Sequence, residues 1–186
     1  MKMRTEQRFF TSPLVFLQFV AVAIFLAGTG AGAAERTLID EGRVSLIVPD
    51  GWEKTELNAA DVLAGYATQD NRSSVFFRAM SPGFGGGMQD ILDATIANYE
   101  ATFIVKDVAK AKTGDVAGPE RKWPGIFTTV EASVAKGDET FEMKFYLLVF
   151  ETGSRLYLMQ ASTTLPVREA RERQVYELIR SLVAKE

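Results

Sequence analysis

Neither histidine nor cysteine occurs in this 186-residue chain. Their absence excludes a Ser-His-Asp or Cys-His triad, a zinc finger, a thiol redox centre, a disulfide framework and a haem held by either residue. It also excludes a lipoprotein, which needs a cysteine to carry its lipid. Charge of one sign is scarce as well: 21 Lys and Arg face 24 Asp and Glu, a net charge of −3, so there is no basic excess for nucleic acid or an anionic membrane to select. The apolar run from Leu14 to Ala27 is interrupted by Gln18 and falls short of the ~20 residues that a bilayer-crossing helix needs. What is present is 47% hydrophobic and 24% charged side chains, the mixture of an ordinary globular domain.

The first 34 residues have three parts: a basic start with Lys2, Arg4 and Arg8 against Glu6, the apolar run, and a small-residue stretch from Gly28 to Ala34. That is the pattern of a secretory signal peptide. Ala31-Gly32-Ala33 sets small side chains at the two positions a signal peptidase reads, which predicts cleavage after Ala33, or after Ala34 one residue on. An uncleaved anchor is the alternative. Residues 35–186 then form one mature domain with 18 basic and 23 acidic side chains, a net charge of −5. The expectation is a free periplasmic or secreted protein, and without a twin arginine the general secretory route is the simpler one.

In the mature domain, Arg43 to Val48 alternates before Pro49-Asp50-Gly51 stops it, predicting a strand and a turn. Val62 to Thr68 and Ser74 to Met80 flank the turn formers Asp70-Asn71-Arg72 and predict a hairpin. From Met88, apolar residues at Ile91, Leu92, Ile96, Tyr99 and Phe103 keep helical spacing, with Asp90 and Asp93 near the positive end of the dipole. Val105 to Arg121 fits an edge strand and a loop. Gly125 to Ala135, Thr140 to Phe150 and Ser154 to Ser162 predict an antiparallel meander whose middle strand is central, with part of its second face covered. Pro166 opens a last helix with the stripe Val167, Ala170, Val175, Leu178, Ile179 and Leu182, and with Glu169–Arg173 and Arg168–Glu172 spaced to pair on its surface.

This order predicts an α+β fold, an antiparallel sheet with helices packed on it. The segment Val44-Ser45-Leu46-Ile47-Val48-Pro49-Asp50-Gly51-Trp52 resembles the opening of PsbP-like proteins, where a strand ends in a proline turn and a tryptophan. The resemblance continues through Val75 to Pro82, the helix from Met88, the strands around Phe145 and Leu156, and the closing helix. It implies a PsbP-like layered domain. Relatives by fold include an extrinsic subunit of photosystem II and its assembly factors, a Ran-binding nuclear protein, and DcrB-like envelope proteins, most of them non-enzymatic binders. Metal association in some PsbP members runs through His and acidic residues; with no His here, no metal site and no cofactor are carried over.

Candidate site residues are few. The loop Gly83 to Gly87 ahead of a helix has the character of an anion cradle, but it lacks both the P-loop ending and the dinucleotide fingerprint, so a connector is the preferred reading. Phe84 on that loop is a candidate binding anchor. Asp90 with Asp93, or Asp138 with Glu139, are the available carboxylate pairs, each with a local explanation as dipole or turn residues. Trp52 and Trp123 sit beside turns, where core capping competes with projection toward a partner. Trp123, between basic neighbours, joins Phe84 as the expected partner contact. The preferred function is an exported, non-enzymatic domain that contacts a protein or peptide partner in the cell envelope, as an assembly or accessory factor. The alternatives are a carboxylate-based hydrolase and a carrier of a small apolar ligand.

Overall fold

The structure, a computed structural model, describes residues 36–55, 61–80, 85–136, 139–153 and 155–186. Along the chain run β1 (Arg36–Ile39), β2 (Val44–Ile47), β3 (Trp52–Lys54), β4 (Val62–Thr68), β5 (Ser73–Ala79), α1 (Met88–Thr102), β6 (Ile104–Val108), β7 (Lys112–Val116), β8 (Trp123–Lys136), β9 (Glu139–Thr152), β10 (Arg155–Thr164), α2 (Glu169–Ser181) and β11 (Val183–Ala184). Eight strands make the main antiparallel sheet, in the order β3-β4-β5-β10-β9-β8-β6 with β7 also on β8. A small second sheet has the order β1-β2-β11. This is the expected α+β arrangement.

Turn chemistry sets the hairpins. In the β4–β5 turn Asn71 takes φ 54°, a left-handed value that Asn tolerates. The Asp70 carboxylate fixes that turn by accepting from Thr68 Oγ1 at 2.7 Å and from the Arg72 N–H at 3.1 Å. After β2, Gly51 at φ 81° completes the turn in which the Trp52 N–H reaches the Pro49 carbonyl at 3.2 Å.

Alternation along β9 divides the core in two. Phe145, Leu147 and Val149 join Ile91, Leu92 and Tyr99 of α1 on one face, with Ile126, Val130 and Leu158. Tyr146, Leu148 and Phe150 face the other way, into a cluster with Val175, Leu178 and Leu182 and with Ile39, Val44 and Leu46 of the small sheet. The middle strand is therefore buried on both faces, as its second apolar run predicts. The molecule has α1 on one side of the main sheet and α2 with the small sheet on the other.

Four features differ from the sequence reading. The last helix starts at Glu169 rather than Pro166, because the Leu165 N–H bonds the Glu142 carbonyl at 2.7 Å and keeps that chain extended along β9. Ala170, on its first turn, is exposed, since the buried part of the helix begins at Val175. Glu169–Arg173 pairs at 2.8 Å as spaced, but Glu172 turns to the sheet instead of Arg168. It accepts from Lys144 Nζ and Tyr146 Oη, each at 3.1 Å. The region from 105 to 121 holds two edge strands, β6 and β7, where one strand and a loop are expected.

Candidate docking edge

The β8–β9 hairpin outruns its neighbours. Its strands pair from Gly125↔Phe150 to Lys136↔Glu139, whereas β10 reaches β9 only as far as Thr164↔Met143 and β6 reaches β8 only as far as Ile104↔Ser133. From Val134 and Phe141 outward the hairpin has no flanking strand among the described residues. Phe141, at the start of this tip, is 39% exposed, and Ile104, at the start of β6, is 70% exposed. Of the four large apolar residues most exposed among those described, Ile104 and Val108 lie on β6, Phe141 near this tip and Leu38 on β1. Single exposed apolar residues carry no message, but a gathering of them does.

The edge chain beside β8 is irregular. Its register runs Ile104↔Ser133 and Val105↔Ala132, then Asp107↔Glu131 and Val108↔Val130, then Lys112↔Phe127. One extra residue enters at Lys106 and a second between Val108 and Lys112. These are bulges, the usual device for keeping a sheet edge from pairing indiscriminately. Between them the Ala109 N–H reaches the Thr129 carbonyl at 2.9 Å, and Thr128 Oγ1 donates to the Ala109 carbonyl at 2.6 Å.

Charge follows the same edge. Lys106 Nζ meets Glu142 Oε2 at 2.6 Å, and Ser133 Oγ donates to Glu142 Oε1 at 2.9 Å. The lysine first, then the serine, hold the Glu142 carboxyl below its ordinary range. Lys110 and Lys112 are exposed and take part in none of the ion pairs among the described residues.

The structure places the sequence-predicted residues elsewhere. Trp123 is a correction: it is buried at 6% exposure, and its indole N–H donates to the Ala184 carbonyl at 2.8 Å. Its basic neighbour does not push it outward. The Arg121 guanidinium instead stacks 3.9 Å from the ring centroid and covers it. Trp52 is a core residue too, donating to Gln174 Oε1 at 3.3 Å. Phe84, Ala33, Ala34 and Asp138 lie outside the described residues. Of the glycine loop, Gly87 directs its N–H to the Asp90 carboxylate at 2.7 Å, so the helix start is capped by the chain's own acid. Asp93 accepts from Gln89 at 2.7 Å. Among the described residues no three His, Cys, Asp or Glu side chains come together as a metal site, and no helix is long and apolar enough to cross a membrane.

Sequence reasoning passes over Ile104, Val108, Phe141, Lys110 and Lys112. The available signal is the spacing of lysines at 106, 110 and 112 within a predicted edge strand, a pattern associated with protected edges.

No family model matches the chain and no curated protein sequence matches it significantly. Solved structures do match. The solution structure of cyanobacterial PsbP (CyanoP) from Synechocystis sp. PCC 6803 aligns with TM-score 0.57 at 14% identity, over 85% of this chain and 97% of that one. LpqN, described as involved in cell envelope biogenesis of Mycobacterium tuberculosis, gives TM-score 0.52 at 8% identity over 84% and 87%. The Saccharomyces cerevisiae Ran-binding protein Mog1p gives 0.51 at 10% over 80% and 93%. At such identities the likeness speaks for architecture alone, and that architecture is the PsbP-like α+β fold.

Proposed function

We propose that this chain is an exported, non-catalytic binding domain that docks a protein or peptide partner in the cell envelope, as an assembly or accessory factor. The contact is made by the tip of the β8–β9 hairpin and by β6. One observation carries the reading: Ile104 and Val108 on β6 and Phe141 near the end of the β8–β9 hairpin are three of the four large apolar residues most exposed among those described. The printed descriptions of two neighbours, one Ran-binding and one acting in envelope biogenesis, support a partner-binding role. The three-part amino terminus before β1 supports export, with cleavage after Ala33 or Ala34. Phe84 is proposed as a second contact.

Ile104→Asp and Phe141→Asp test the reading. Each places a charge on an exposed site, so the thermal midpoint is expected to stay within about 2 °C of the parent. Crosslinked complexes recovered from the protein's own envelope fraction are expected to be lost. Full retention of every complex in both variants overturns this surface.

A further inference from the structure

Building on that docking reading, we infer that the β6–β7 edge receives an acidic, extended segment of a different protein, and that its stretch from Lys106 to Lys110 refuses the same stretch of a second copy of this chain. No strand covers the outer side of β6 or β7 among the described residues. Exposed along that edge are Ile104 and Val108, which the bulge sets on opposite faces, the acids Asp107 and Asp115, and the lysines Lys106, Lys110 and Lys112, so an added strand meets apolar side chains at the β6 end and Lys110 and Lys112 where β6 gives way to β7. Among the described residues, only Lys106 of the three lysines has an acid, Glu142, within ion-pair distance. Carboxylates on the incoming segment complete the others.

Self-pairing fails on charge. A two-fold antiparallel pair sets residues of the two copies opposite one another symmetrically about its centre. With 106 or 110 at the centre, that lysine faces its own copy; with 107, Asp107 does. With 108 at the centre Lys106 faces Lys110, and with 109 it faces Lys112. Each of these five registers, centred from 106 to 110, opposes like charges, which destabilises the pair. The arrangement rejects itself and selects the opposite sign, a common division between attraction and exclusion.

The test uses the purified protein and two fluorescein-labelled octapeptides, one alternating valine with glutamate and one alternating valine with lysine, followed by anisotropy and by amide shifts in NMR. The glutamate peptide is expected to bind at least about tenfold more tightly at ~0.05 M salt, with the gap narrowing at ~0.5 M. Amide shifts are expected along Ile104–Val116 and not at β3 or α2. The double variant K110E/K112E is expected to weaken the glutamate peptide by about fivefold or more and to favour the lysine peptide, with an unchanged melting curve. Equal binding of the two peptides, binding of neither at millimolar concentration, or shifts on another surface overturns the inference, as does a dimer of the parent protein that K110E/K112E dissociates. If envelope complexes are lost in Phe141→Asp but neither peptide binds, the docking reading stands and the acidic strand falls.

Discussion

Trp123 reaches across 61 positions of sequence to donate its indole N–H to the Ala184 carbonyl. Gly118 lies against the same contact: a Cβ there falls 2.4 Å from the Arg121 carbonyl oxygen and 2.7 Å from Trp123 Nε1. Gly118→Ala is therefore expected to lower stability by about 1–3 kcal/mol in urea unfolding, since backbone and ring must both shift. Trp123→Phe removes the buried donor and leaves the Ala184 carbonyl short of a partner, for a loss of about 1–3 kcal/mol by the same measurement. A change within error for either variant contradicts the role given to this contact. Asp70 adds a pH dependence. Burial raises its pKa, but hydrogen bonds from Thr68 and the Arg72 N–H, with the charges of Arg171 and Arg72, bring it below the ordinary value. A depressed carboxyl stabilises the fold above its unfolded pKa of about 4 and loses that contribution as pH falls through the lower folded value. Asp70→Asn should flatten the acid limb of a plot of thermal midpoint against pH; an unchanged limb argues against it. None of these pairings is visible in sequence. The basic residues around Trp123 point toward solvent when read locally, and only the fold shows that Arg121 lies over the ring as a cover.

Elements with a strong internal period are the ones that sequence locates well. The β4–β5 hairpin, α1 and the β8–β9–β10 meander each carry enough alternation or helical spacing to be placed, with α1 beginning at Met88 as its spacing predicts. Strands β1 and β11, four and two residues long, are too short for a period to emerge, and the pairing of β11 with β2 joins segments far apart in sequence. The docking edge was partly legible: an edge strand is expected near Val105, but the bulges depend on its register against β8. Those bulges make a prediction of their own. Replacing Lys106 and Lys110 together by valine removes the charges that keep the edge from joining another, so sedimentation velocity is expected to show concentration-dependent association absent from the parent. Persistence of a monomer throughout means that the backbone irregularity alone protects the edge.

At the scale of the whole molecule, β9 belongs to both halves of the core. Leu147 lies in the α1-side cluster, whereas Trp52 and Trp123 both lie in the α2-side cluster. Leu147→Ala is expected to cost about 2–5 kcal/mol. Because one strand serves both layers, tryptophan fluorescence should report the whole loss, with the same midpoint as far-ultraviolet circular dichroism. Separate midpoints contradict a single cooperative unit.

Near residue 184 the beginning and end of the described fold are stitched together. The Ala184 N–H bonds the Ala117 carbonyl at 2.8 Å, the Lys185 N–H bonds the Arg43 carbonyl at 2.7 Å, and β11 lies beside β2. Strand β2 therefore obtains its second neighbour only once residues 183 and 184 are in place. Such late, long-range closure slows folding and leaves the first strands without their last neighbour until distant segments of the chain meet.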